Sequence, residues 1–105
     1  MNLWRLLGKK RRKTSAYAKG IRAEKIVKRR LEKKGYLVRQ SKGSRGPYDL
    51  YALKGGRKLL IQVKSGTASL SRAERARLRR EAKKKGAKAL LMKYEKGKVR
   101  SKIIY

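Results

Sequence analysis

A chain of 105 residues makes one small domain, near the lower limit for burying a self-sufficient core. Its 35 Lys and Arg against six Asp and Glu leave a formal charge of +29, spread along the whole length. Such self-repulsion opposes compaction and calls for a polyanionic partner. Nucleic acid answers best, because each neutralised phosphate releases counterions. A membrane is the weaker candidate, since no apolar run approaches the roughly 20 residues that span a bilayer.

Cysteine and histidine are both absent, which excludes a disulfide framework, a thiolate metal site and imidazole as base or ligand. Any hydrolytic chemistry is left to carboxylates, amides, lysines, hydroxyls and a hard, oxygen-preferring cation. Asn2 is the only asparagine and Gln40 and Gln62 the only glutamines, a depletion expected of a hot-living source.

Residues 1–15 read as a basic arm, Lys9 to Lys13 following a small apolar group of Leu3, Trp4, Leu6 and Leu7. The apolar stretch is too short for a signal segment, and a docked arm and a disordered tail both fit it. The remainder, 16–105, reads as a single domain.

A helix is expected over 15–34, stopped by Gly35. At about 100° per residue, Ala16, Tyr17, Gly20, Ala23, Val27 and Leu31 fall within an arc of roughly 120°. Glu24 falls inside the same arc, although a carboxylate on a core-facing surface is costly unless paired, hydrogen-bonded or bound to a metal. A lone Glu of this kind is also a routine partner for Arg22 or Lys28 along the helix.

A short strand over 36–39 precedes the loop "QSKGSRGP". Two strands, 48–53 and 58–64, then join through Gly55-Gly56, a good two-residue hairpin turn. Closing that turn as Lys54·Arg57 makes paired residue numbers sum to 111. Asp49, the only aspartate in the chain, then lies opposite Gln62, with Lys64 on the same face. Ile61 and Val63 point to the core. Tyr48 and Tyr51 suit either core packing or stacking on exposed bases.

Ser71 and Glu74 form a capping-box pattern opening a second helix that ends at Gly86. "AKALLMKY" and "VRSKIIY" complete the chain as two strands around a turn at 95–98. The predicted order is α-β-β-β-α-β-β, an α/β domain built on a small mixed sheet flanked by helices. Asp49, Glu24 and the Gln62 amide suit Mg²⁺ or Mn²⁺, and a nearby Lys64 suits phosphoryl chemistry.

The segments "RAEKIVKRRLEKKGYLVRQ", "SKGSRGPYD" and "LLIQVKSG", in that order and spacing, resemble the PD-(D/E)XK nuclease superfamily and, within it, the archaeal Holliday junction resolvases. The resemblance covers about 17–94. It implies a restriction-endonuclease-like α-β-β-β-α-β core and Mg²⁺-dependent (or Mn²⁺-dependent) hydrolysis of DNA, notably four-way junctions. It also implies a homodimer, DNA-associated within the cell. Carried over position by position, Glu24, Asp49 and Gln62 match the metal-binding positions and Lys64 the catalytic lysine. Ser44 matches a mobile-loop serine near the scissile phosphate, although a plain loop residue fits it as well.

Lys25, where relatives often carry Arg, implies a phosphate contact, and Arg39, Lys42 and Arg45 are further DNA-contacting candidates. Gln62 is the departure, since resolvases usually carry Glu there; one negative charge less implies weaker metal affinity. Two other readings stay open. One is the same core acting on a flap, mismatch, viral or restriction substrate. The other is a non-catalytic basic nucleic-acid-binding protein, which the charge alone would favour.

Overall fold

The structure, a computed structural model, describes residues 16–41 and 46–105. The basic arm, Lys42, Ser44 and Arg45 lie outside the described residues, as do the side chains of Ala16 and Tyr17. The chain runs α1 (Ala16–Lys33), β1 (Leu37–Gln40), β2 (Leu50–Lys54), β3 (Arg57–Ser65), α2 (Arg72–Lys85), β4 (Lys88–Glu95) and β5 (Lys98–Ile103). This is the order expected from the sequence. The five strands form one sheet in the order β1-β2-β3-β4-β5, with β3 and β4 parallel and the other neighbours antiparallel. The parallel pair needs a crossover, and α2 supplies it.

Local contacts end both helices and open the second. Past the end of α1, Gly35 takes φ +96°, while Tyr36 N–H bonds the Leu31 carbonyl at 3.0 Å and Gly35 N–H that of Glu32 at 3.0 Å. Lys54 adds a cation at this carboxyl end, its Nζ 2.6 Å from the Lys34 carbonyl. The predicted capping box opens α2: Ser71 Oγ accepts from Glu74 N–H at 3.1 Å, and a Glu74 oxygen accepts from Ser71 N–H at 2.9 Å. Gly86 closes it in the left-handed conformation.

The sheet separates two apolar clusters. Ala23, Val27 and Leu31 of α1 pack on Leu50, Ala52, Leu59, Ile61 and Val63. Leu78 and Ala82 of α2 pack on Leu60, Ala89 and Leu91 across the opposite face. Val27, Leu50, Leu60, Ile61 and Leu78 are wholly buried, each stabilising the fold by roughly 1.5–3 kcal/mol. Tyr48 and Tyr51 pack partly buried against the α2-side cluster, so their place is core packing.

Along β3 the alternation matters most. Leu59, Ile61 and Val63 belong to the α1 side, whereas Leu60 faces α2, and the next two residues of Leu60's parity are Gln62 and Lys64. On this face the strand passes from the core at Leu60 into a polar cleft.

Candidate active site

The hairpin register begins as expected, with Lys54 opposite Arg57, and continues to Leu50 opposite Ile61. Gly55 and Gly56 both take positive φ (+48° and +82°), as the tight primed turn requires. At Asp49 the register departs from the simple sum. Asp49 N–H bonds the Ile61 carbonyl at 2.8 Å, so Asp49 and Leu50 both oppose Ile61. Two residues against one is a β-bulge, a device that re-aims a side chain at the end of a ladder. Asp49 therefore reaches past Gln62, and its Oδ2 accepts from Val63 N–H at 2.8 Å.

The bulge leaves the expected neighbours together. A single cavity of about 220 Å³ is lined by Glu24, Gly46, Pro47, Asp49, Gln62, Val63, Lys64, Glu74 and Arg77. Its walls come from α1, the end of the loop before β2, the carboxyl half of β3 and the first turns of α2. Gln62 donates through Nε2 to the Pro47 carbonyl at 3.0 Å, which turns the amide nitrogen to the loop. Lys64 Nζ lies 3.5 Å from Glu74 Oε2. Gln40, at the end of β1, donates to Glu24 Oε1 at 3.4 Å.

Burial pushes the Asp49 carboxyl above its ordinary range, against the lowering effects of the Val63 hydrogen bond and Lys64. Glu24 is raised too, first by burial and then by repulsion from Asp49, with Gln40 offsetting part. Glu74 is lowered, chiefly by its hydrogen bond from the Ser71 backbone. The cleft thus holds two mutually repelling carboxylates that favour a proton or a cation, beside a third that is already satisfied.

Of the residues singled out from the sequence, Glu24, Asp49, Gln62 and Lys64 meet in this cavity. Lys25 and Arg39 are exposed and do not line it. Two of its walls went unread. Glu74 was recognised only as a helix cap, and Arg77 follows one turn later on the same helix face. The absent signal was tertiary: nothing local says where the crossover sets α2 against β3.

A family model described as a restriction endonuclease, Mrr_cat, matches residues 17–95. The chain belongs to this restriction endonuclease family. No curated protein sequence matches it. Among solved structures the family member resembles Hjc, a Holliday junction resolvase of the archaeal hyperthermophile Archaeoglobus fulgidus. The TM-score is 0.74 at 27% identity, covering 82% of this chain and 73% of that one. It also shares the fold of the bacterial homing endonuclease I-Ssp6803I (TM-score 0.63, 22% identity, 86% of this chain and 66% of that one). The fold is restriction-endonuclease-like, and the chain is a nuclease of that superfamily.

Nucleases of this type generally use divalent metal ions, and the donor chemistry fits one. Glu24 and Asp49 offer hard carboxylate oxygens, Gln62 an amide oxygen, and the raised carboxyls mark negative charge short of a counter-ion. Among the described residues, no three carboxylates stand close enough to form a metal cluster. Glu74 is drawn instead towards Lys64.

Proposed function

We propose that this nuclease is a Mg²⁺- or Mn²⁺-dependent endodeoxyribonuclease that resolves four-way DNA junctions, acting inside the cell as a homodimer. The observation that carries the reading is the cavity itself. In a chain of net charge +29, the only aspartate, a glutamate of α1, and Gln62 and Lys64 of β3 converge on one cavity. A protein that merely coats phosphates has no use for a desolvated acidic pair. The 27% identity to a Holliday junction resolvase supports the choice of substrate.

In this reading Glu24 and Asp49 hold the cation through carboxylates and Gln62 through Oε1. A cation held there would supply Lewis-acid chemistry, polarising a phosphoryl oxygen and lowering the pKa of a water. The Val63 N–H fixes Asp49, so the ligand is pre-oriented rather than recruited. Lys64 faces the cleft from the same strand, where its ammonium orients the attacking water or offsets charge on the phosphorane-like transition state.

A second hollow adjoins the cleft at Lys64, lined by Lys19, Gly20, Val63, Lys64, Ser65 and Ala68, and offers the cut strand a cationic exit. Sequence-independent phosphate contacts fall to Lys25 and Arg39, with Lys42, Arg45, the basic face of α2 and Lys9 to Lys13 of the arm; Ser44 would stand near the scissile phosphate. Two copies would present two clefts to the two-fold axis of a junction. The nuclease domain is 16–105, the arm an accessory.

The deciding experiment incubates the protein with a labelled four-way junction, with and without Mg²⁺, and resolves the products on a denaturing gel. Nicks that require the metal and vanish with chelator are expected. Indifference to Mg²⁺ with tight binding would leave a non-catalytic polycation. The family description favours one rival, cleavage of another DNA structure by the same residues. A panel of junction, flap, fork, mismatch and linear duplex separates the two.

A further inference from the structure

We propose that Glu74 is the positioning residue of Lys64, giving the cleft the negative charge that Gln62 does not supply. The inference rests on the nuclease reading of the same cleft and adds a residue to it.

The two oxygens of Glu74 face different tasks. Oε1 accepts from Ser71 N–H at 2.9 Å and so is tied to the first turn of α2. Oε2 is turned to Lys64 Nζ at 3.5 Å. A capping box needs only the first of these contacts. The second reaches from α2 to a residue ten positions earlier in the chain and ends inside the cavity that also holds Asp49.

A lysine ammonium on a four-carbon stem has three rotatable donors and no preferred direction of its own. Lys64 is part-buried, with its side chain 25% exposed. It takes a fixed direction only where an acceptor is itself fixed. Glu74 is such an acceptor, because its other oxygen is held by backbone.

Position 62 explains why the charge arrives from α2. A carboxylate there would stand two residues before Lys64 on the same face of β3, next to the ammonium. Gln62 brings no charge, and its amide nitrogen is engaged with Pro47. Glu74 approaches the same ammonium from the opposite wall. Three carboxylates, Glu24, Asp49 and Glu74, then line one cleft with Lys64 and Arg77.

The test compares Glu74→Gln, Ser71→Ala and the double variant Gln62→Glu/Glu74→Gln on a cleavable DNA, with Lys64→Ala as the inactive reference. Glutamine also serves at the third position of a capping box, so Glu74→Gln keeps the helix start. It should lower kcat about tenfold or more with KM for DNA unchanged, and shift the melting temperature by no more than a few degrees. Ser71→Ala, which removes the hydroxyl half of the same cap and keeps the backbone N–H that holds the carboxylate, should lower the melting temperature and leave kcat intact. Adding Gln62→Glu should restore most of the lost kcat.

A readout independent of turnover is the Lys64 ammonium signal in ¹⁵N NMR. It should be ordered in the wild type and in Ser71→Ala, and broadened in Glu74→Gln. Full kcat in Glu74→Gln alongside an inactive Lys64→Ala overturns this inference and leaves the nuclease reading standing. Wild type and Lys64→Ala equally inactive on every DNA overturns both.

Discussion

Glu24 and Glu74 are the same residue type on two helices, opening onto one cavity, yet their carboxyls are displaced in opposite directions. Glu24 is raised because α1 carries it beside Ala23, on the buried stripe, and towards Asp49, with the Gln40 amide offsetting part of the cost. Glu74 is lowered because it sits at a helix start, where backbone N–H groups and Lys64 receive its charge. Glu74's site is cheap for an anion and Glu24's is dear. An unsatisfied charge retained in a fold this small is expected where binding, not folding, is its purpose.

The contrast is sharpest at Asp49, the other raised carboxyl, where the largest effect is expected. Asp49→Ala and Lys64→Ala should each cut junction cleavage by roughly a thousandfold or more, while DNA affinity in a gel-shift titration stays within a few-fold. Equal loss of binding and cleavage would mean that these residues hold the fold or the DNA, and the division between dear and cheap sites would collapse.

Asp49→Asn probes the stability side of the same residue. Asparagine keeps the size and an acceptor for Val63 N–H while removing the buried charge and its repulsion of Glu24. A carboxyl whose folded pKa is raised contributes stability that is complete below its unfolded pKa and is lost as pH rises through the folded value. Once pH has passed that folded value the wild type has lost the contribution, so there Asp49→Asn should melt a few degrees higher although inactive, as expected where function opposes stability. Mg²⁺ should raise the melting temperature of the wild type at pH 7–8 and do little for the variant. A variant that melts lower at pH 7–8 would show that the Asp49 charge stabilises the apo fold.

Gln62→Glu alone tests the middle of the range. A third charged oxygen beside Glu24 and Asp49 should maintain or increase cleavage at low Mg²⁺ and shift the Mg²⁺ titration midpoint downward. A higher midpoint would mean that the amide is needed for its bond to Pro47 and not as a neutral ligand.

Which parts of this were legible beforehand follows from the range of the forces involved. Element order came through because Gly35, Gly55-Gly56, Ser71 and Gly86 act within a turn or a few residues. Glu24 came through because helix phase is set by counting, and Gln62 with Lys64 because strand parity is. The bulge at Asp49 was not legible. It depends on β1 and β3 pairing at once, with Ser41 N–H on the Asp49 carbonyl and Asp49 N–H on Ile61. Gln40 was missed for a similar reason, since its contact with Glu24 spans sixteen residues. Glu74 is legible only in part: the capping box is local to Ser71, whereas the contact with Lys64 depends on how α2 is set against β3.

That second role predicts the smallest effect, a pH dependence of opposite sign to that of Asp49. A carboxyl whose folded pKa is depressed contributes stability that is present above its unfolded pKa and lost as pH falls through the folded value. Glu74 is 39% exposed, so solvent screens the interaction and it contributes on the order of 0.5 kcal/mol. The melting temperature of the wild type should therefore exceed that of Glu74→Gln by a few degrees at neutral pH. The gap should close as the solution is acidified below the ordinary glutamate range, where both side chains are uncharged. Because Asp49 and Glu24 gain stability over that same interval, the wild-type curve alone would hide the effect. Only the difference between the two proteins isolates it. A difference that stays flat down to pH 3 would mean that the Glu74 carboxyl is not lowered in the fold, and the contrast with Glu24 would fall with it.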